Sequence, residues 1–199
     1  HGTRYPIMQG PMANVSDNAD FAAAVLAQGG LPFFALGNLP ANLADDMLAA
    51  GKEKVERFGA GMIGIEAFNE TISHHLASVK KYEVPFALFA GGIPSQVKDL
   101  EAGGTRTYLH TPSLMMLENA LQKDCRRFIF EGAEAGGHVG TLSSLVLSEL
   151  AMENMSRVSD NLLTDKTMIF AGGIGTNLAP HFVSGMTSLL AGRGVKIGI

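Results

Sequence analysis

Lys166-Thr167-Met168-Ile169-Phe170-Ala171-Gly172-Gly173-Ile174 sets the reading of the whole chain. A short, near-continuous apolar run ends in paired glycines, the pattern of a parallel strand covered on both faces and closed by a tight turn. Its last five residues repeat Phe89-Ala90-Gly91-Gly92-Ile93, which stands 81 positions earlier. Three β–α units of about 27 residues each give that offset, which places both copies at equivalent strand ends.

Working outward, similar runs recur along the chain. They predict strands over Tyr5–Gln9, Leu31–Leu36, Phe58–Ile65, Phe86–Ala90, Thr105–His110, Arg127–Glu131, Lys166–Ala171 and Val195–Ile199. Between them, apolar residues recur every three or four positions: Ile72, Leu76 and Val79; Leu114, Leu117 and Leu121; Leu142, Leu145, Val146 and Leu150; Phe182, Met186, Leu189 and Leu190. Each set lays one stripe of a helix against a sheet. Gly29-Gly30, Gly51 and Gly103-Gly104 fall where helices should end, Asp17 and Asn69 where they should be capped. Only the stretch around Asn154–Asp165 reads as a longer loop.

Eight consecutive β–α steps without a boundary favour a (β/α)8 TIM barrel over a doubly wound sheet, as one domain over residues 1–199. Such barrels run to about 250 residues. Here the eighth strand candidate starts at Val195 and the sequence stops at Ile199, so the barrel reads as truncated within its eighth strand.

Composition bounds the function. The chain has 199 residues with 24 Gly, 46% hydrophobic and 17% charged residues, and a formal net charge of −4. Neutralising phosphates along a nucleic acid needs clustered Lys and Arg, so that partner is not expected. Arg126-Arg127 is a lone basic pair at a strand entry. The single Cys, Cys125, forms no intrachain disulfide and fits a reducing, cytoplasmic setting. No apolar run approaches the roughly 18 residues of a membrane span. With no Cys/His ligand spacing, no metal site is expected.

In a barrel the chemistry sits where strands end and βα loops begin. After the first strand candidate comes Gln9-Gly10-Pro11-Met12-Ala13; Met12 there either covers a flat ring or fills core space. The fifth ends at His110, which is placed to face a pocket. After the sixth come Glu131 and then Glu134-Ala135-Gly136-Gly137-His138. Gly136 and Gly137 leave room beside a ring-sized ligand. His138 reads either as a general acid or base or as a histidine holding a loop carbonyl. After the seventh, Gly172 and Gly173 let backbone N–H groups approach an anion, although any strand-to-helix turn uses glycine. His74-His75 lie in a helical pattern and read as surface residues, and His181 as the start of the last helix.

Arg4-Tyr5-Pro6-Ile7-Met8-Gln9-Gly10-Pro11-Met12, then Glu134-Ala135-Gly136-Gly137-His138, then Ala171-Gly172-Gly173-Ile174 occur in an order typical of one family. The chain resembles the nitronate monooxygenase (2-nitropropane dioxygenase) family. That family includes FMN-dependent enoyl-acyl-carrier-protein reductases of fatty-acid and polyketide synthases. The resemblance runs from Gly2 to Ile199, and E-A-G-G-H is its specific element.

It implies a barrel carrying non-covalent FMN. Gly10, Pro11 and Met12 would line the isoalloxazine, Gly136 and Gly137 would flank it, and Gly172 and Gly173 would bond its phosphate. His138 matches the family's catalytic histidine, and His110 is a candidate substrate residue. Three features depart from the family pattern. Glu131 stands where a Gln is common, and its ionised form donates no hydrogen bond to a flavin. Gly61 or Met62 stands where many members have Asn. The second phosphate loop, expected after strand eight, is absent from the sequence.

Two activities follow from the resemblance: oxidation of nitronates with O2, and reduction of enoyl thioesters with NAD(P)H as the electron donor. The partners are then a small-molecule or acyl-thioester substrate and, for the reductase, the other domains of a synthase. A flavin-free structural segment of a longer synthase is the reading from a different class.

Overall fold

The computed structural model describes residues 1–37, 39–68, 70–137, 140–176 and 179–199. They fall into two compact units, His1–Leu109 and His110–Ile199. Each is built by the same step, in which a buried strand runs into a turn and a helix returns.

The first unit contains α1 (Ala19–Ala27), β1 (Phe33–Ala35), α2 (Ala41–Lys54), β2 (Gly59–Ile63), a 3-10 turn at Glu66–Phe68, α3 (Ile72–Lys81), β3 (Phe86–Ala90) and α4 (Pro94–Ala102). It closes with β4 (Arg106–His110), whose last residue opens the second unit. The strands pair in sequence order and parallel, with Phe33 opposite Gly59, Gly59 opposite Phe86 and Phe86 opposite Arg106. Phe33, Phe34, Met62 and Phe89 are almost fully buried. Each such side chain stabilises the fold by about 1.5–3 kcal/mol relative to exposure.

The second unit contains α5 (Leu114–Gln122), β5 (Arg127–Glu131), α6 (Ser144–Ser156), the one-turn helix α7 (Asp160–Leu163), β6 (Thr167–Ala171), α8 (Ala179–Gly192) and β7 (Lys196–Gly198). Here too the pairing is parallel, Arg127 lying opposite Thr167 and Thr167 opposite Lys196. Seven parallel strands thus alternate with helices, the α/β pattern the sequence predicts, and β7 occupies the place of the eighth strand candidate.

The first candidate, Tyr5–Gln9, is reduced to a single parallel bridge between Met8 and Leu31. Backbone bonds still run along it, Tyr5 N donating to the Gly29 carbonyl at 3.0 Å, Leu31 N to Ile7 at 2.9 Å and Gln9 N to Leu31 at 2.9 Å. The Gln9 side chain takes over part of the pairing, accepting from Phe33 N at 3.1 Å.

Helix faces and ends also differ from expectation. On α6 the inward face is Leu147, Ser148, Ala151 and Met155, while Leu145 and Val146 are exposed. Ser144, bonded to the preceding loop, fixes the rotation of this helix by about one position. On α8, Val183, Thr187 and Leu190 face inward, and Phe182 and Leu189 face solvent. Asn18, not Asp17, caps α1, its Oδ1 accepting from Phe21 N at 2.8 Å; Asn69 lies outside the described residues. Gly51 lies inside α2, where Phe34 and Phe58 leave no space for a side chain.

His75 is fully buried rather than on the surface, its Nε2 3.0 Å from the Leu39 carbonyl and 3.2 Å from Thr71 Oγ1. Burial pushes its pKa down, which favours the neutral imidazole. The loop expected at Asn154–Asp165 instead holds the end of α6 and α7. Arg193 fastens it, donating to Asp160 Oδ1 and to the carbonyls of Ser156 and Val158, each at 2.6 Å.

Among the described residues no helix is long and apolar enough to cross a membrane.

Candidate active site

The second unit gathers six of the expected positions: His110, Glu131, Gly136, Gly137, Gly172 and Gly173. The residue that organises them is Ser144, first residue of α6. A side chain on Gly132 would run into the Ser144 backbone, so the chain leaving β5 crosses the start of α6 with no room for a Cβ. Glu134 then turns back to this helix end. One of its carboxylate oxygens accepts from Ser144 N at 2.7 Å and from Ser144 Oγ at 2.8 Å. These two bonds, the amide first, hold the Glu134 carboxyl below its usual pKa. The positive end of α6 therefore already carries a carboxylate.

Beyond Glu134 the loop opens. Gly136 and Gly137 are exposed, nothing lies within 4 Å of where their side chains would begin, and Gly137 has φ +84°. His138 lies outside the described residues. At the end of β6, Gly172 (φ +93°) and Gly173 (φ +69°) take successive left-handed conformations that residues with side chains rarely adopt. A Cβ on Gly172 would come within 2.6 Å of Ser144 Oγ, whereas at Gly173 the nearest atom, Glu134 Cβ, is 3.6 Å away. One glycine is there for close packing, and its neighbour is exposed, with only ordinary contact to Glu134. A cavity of about 260 Å3 continues from this turn between α6 and α8, walled by Leu145, Phe170, Phe182 and Met186. An open turn of two left-handed glycines beside an uncluttered glycine loop fits the phosphate end of a flavin nucleotide.

His110 and Glu131 stand side by side. Thr111 donates through N (2.8 Å) and Oγ1 (3.1 Å) to the Ile129 carbonyl, which holds this segment along β5. His110 Nε2 thereby comes to 3.3 Å from Glu131 Oε2. The imidazole side chain is 3% exposed and the carboxylate 27%. Burial raises the Glu131 pKa from 4.5 to about 6. The departure from glutamine is thus answered by a carboxyl that takes up a proton far more readily than an exposed one, with a histidine behind it.

Gly10, Pro11 and Met12 belong to the first unit. Gly10 is exposed and has open space around it, and Met12 is 42% exposed, so its side chain is not core filling. Met12 N donates to the buried Ser16 Oγ at 2.8 Å, which fixes the turn. The Pro11 ring occupies the space where a Gly61 side chain would begin. An Asn at position 61 would displace Pro11, which accounts for the second departure.

Ser144 was not legible as a site residue, and Glu134 was legible only as part of a motif. The available signal was Ser143-Ser144 opening a helix ten residues after an acidic side chain, a spacing that matches no standard capping box.

No family profile matches the chain, and no curated protein sequence matches it either. Solved structures do match. FabK from Thermotoga maritima superposes with a TM-score of 0.79 at 23% identity over 98% of this chain and 58% of its own. Nitroalkane oxidase from Streptomyces ansochromogenes gives 0.75 at 20% identity, over 99% of this chain and 65% of its own. The enoyl reductase domain of MlnA, from the macrolactin biosynthesis cluster of Bacillus amyloliquefaciens, gives 0.74 at 13% identity, over 99% and 54%. The likeness is one of fold: the chain shares the TIM-barrel α/β fold of these structures over nearly its whole length. It spans about three fifths of the length of these structures.

Proposed function

We propose that the chain is an FMN-dependent oxidoreductase of the nitronate monooxygenase family, with residues 1–199 as one flavin-binding domain. The observation that carries this reading is the open left-handed pair Gly172-Gly173 beside the loop of Gly136 and Gly137. The match to three oxidoreductase folds supports it.

When bound, FMN supplies the redox chemistry by accepting and passing on a hydride or electrons. The chain's own residues hold and orient. Gly172 and Gly173 offer backbone N–H groups to the phosphate. Gly136 and Gly137 keep side chains away from the ring, with Gly10, Pro11 and Met12 as its other neighbours. His138 is the proposed catalytic histidine, which orients the substrate at the flavin.

Oxidation of a nitronate by O2 is the first activity to assay. A second reading, reduction of an enoyl thioester with NAD(P)H in a cytoplasmic synthase, is favoured by one specific observation. The Glu131–His110 pair can hold a proton at the site, and a reduced enoyl chain needs one at the carbon beside its carbonyl, whereas a nitronate arrives already deprotonated.

Two assays on the FMN-loaded protein separate the activities. Nitronate-dependent O2 uptake without NAD(P)H supports the monooxygenase. NAD(P)H oxidation that depends on a crotonyl or longer enoyl thioester supports the reductase. A colourless protein that keeps no FMN after desalting overturns both and returns the chain to the flavin-free class.

A further inference from the structure

Glu131 and His110 are the only ionisable pair among the described residues of the second unit in which a buried imidazole backs a half-buried carboxylate. The histidine has 3% of its side chain exposed and the glutamate 27%, with Nε2 and Oε2 3.3 Å apart. The glutamate is therefore the face of the pair, and the histidine lies behind it.

The other charged groups on the elements around this pair are engaged elsewhere. On β5, Arg127 lies four residues away at the opposite strand end, about 13 Å along the strand. β6 carries no ionisable side chain, and Lys166 just before it pairs with Asp124 at 3.2 Å and Asp165 at 3.5 Å. Glu134, in the loop after β5, is bonded to Ser144. Glu118 on α5 accepts from Asn154 at 3.0 Å, and Glu149 and Glu153 of α6 are exposed. The pair is thus set apart by its geometry, an imidazole Nε2 3.3 Å behind a half-buried carboxylate.

We infer that His110 and Glu131 work as one carboxyl–imidazole unit that keeps a single shared proton at the site on the acid side of neutrality, with Glu131 exchanging it with substrate and His110 acting through Glu131 as a positioning residue. The inference rests on the flavin-enzyme reading and deepens it. In the reductase case the transfer is a proton step only. Reduction with NAD(P)H as the hydride donor would leave an electron pair on the carbon beside the enoyl substrate's carbonyl, and Glu131 would give that carbon its proton, breaking the O–H bond and forming a C–H bond. The pair, left as carboxylate and neutral imidazole, takes one proton back from water, so it ends as it began. A glutamine at position 131 makes hydrogen bonds but does not exchange a proton in this range.

The test is a pH titration by NMR, with the His110 imidazole and the Glu131 carboxyl carbon as probes, in the full chain without flavin. A coupled pair titrates in shared steps, so both probes show the same two inflections. In Glu131→Gln the buried imidazolium loses its counter-charge, and the His110 midpoint falls by about one unit or more, a tenfold weaker hold on the proton. In His110→Gln, which keeps a side chain able to bond the carboxyl, the Glu131 midpoint moves up. Separate single inflections in the native protein overturn the inference even if neither variant folds, and so does a His110 midpoint that Glu131→Gln leaves in place. FMN retention is measured in parallel. Loss of FMN binding with coupled titration sinks the flavin reading alone; FMN binding with uncoupled titration sinks the pair alone.

Discussion

In the first unit the turn at Phe89–Ile93 closes on its own surroundings, whereas in the second the same five residues at Phe170–Ile174 leave an opening. At the first copy only Gly91 is left-handed, with φ +65°, and Ile65 Cδ1 lies 2.6 Å from where its side chain would begin. Pro94 follows at the first position of α4, and Gln96 reaches back, accepting from Ile93 N at 2.9 Å and donating to the Gly64 carbonyl at 2.8 Å. At the second copy both glycines are left-handed, Gly173 is exposed with only ordinary contact to Glu134, and Gly175 and Thr176 continue an exposed turn. The residues after the glycines decide the outcome. A proline and a glutamine satisfy the helix start internally in one case, and in the other the described residues Gly173, Gly175 and Thr176 stay exposed. Paired glycines by themselves specify a tight bend, not a binding site.

Substitution at equivalent glycines tests this contrast most strongly. Gly172→Val forces a branched side chain into φ +93° and against Ser144 Oγ, and it should weaken FMN binding about 100-fold or more, roughly 2.7 kcal/mol. Gly91→Val should lower folding stability through strain at φ +65° and the Ile65 contact, by about 1–3 kcal/mol, with FMN affinity per folded molecule unchanged. Equal losses of affinity at the two positions would erase the distinction.

A smaller effect comes from Glu131. Its folded pKa of about 6 lies above the ordinary value of 4.5, so between these values the folded protein binds more protons than the unfolded one. Stability is then fullest below pH 4.5 and falls as pH rises through 6, by about 2 kcal/mol in all. Denaturant melts across this window should show that fall in the native chain and lose it in Glu131→Gln. A native profile that is flat or rises there would contradict the burial argument.

The smallest change belongs to the closed copy. Gln96→Ala should cost about 1 kcal/mol in denaturant melts and leave flavin binding alone, because the bonds it removes serve only the turn and α4.

Much of this architecture can be read from the sequence, and the parts that cannot share a cause. Buried parallel strands such as Phe86–Ala90 and Arg127–Glu131 announce themselves as apolar runs, and their bounds in the structure are those predicted. The helix faces on α6 and α8 are displaced by about one position. Periodicity shows that a stripe exists, but tertiary bonds such as Glu134–Ser144 set which way it points. His75 reads as a surface residue because nothing local reveals the Leu39 carbonyl 36 positions away that accepts its bond. At the site, the glycines and Glu131 were legible as unusual residues at strand ends. The 3.3 Å approach of His110 to Glu131 was not, since it depends on the register of two strands. His138, the residue with the most specific motif, lies outside the described residues.

The central claim is that the second glycine pair, unlike the first, serves a flavin phosphate. Its most direct test is an equilibrium titration of the chain with FMN, followed by flavin fluorescence and by the absorption spectrum retained after desalting, for the native protein, Gly172→Val and Gly91→Val. The account predicts saturable binding in the micromolar range or tighter for the native chain and Gly91→Val, and a colourless Gly172→Val that remains folded. A native chain that retains no flavin, or a Gly172→Val that retains it as well as the native chain does, would contradict it.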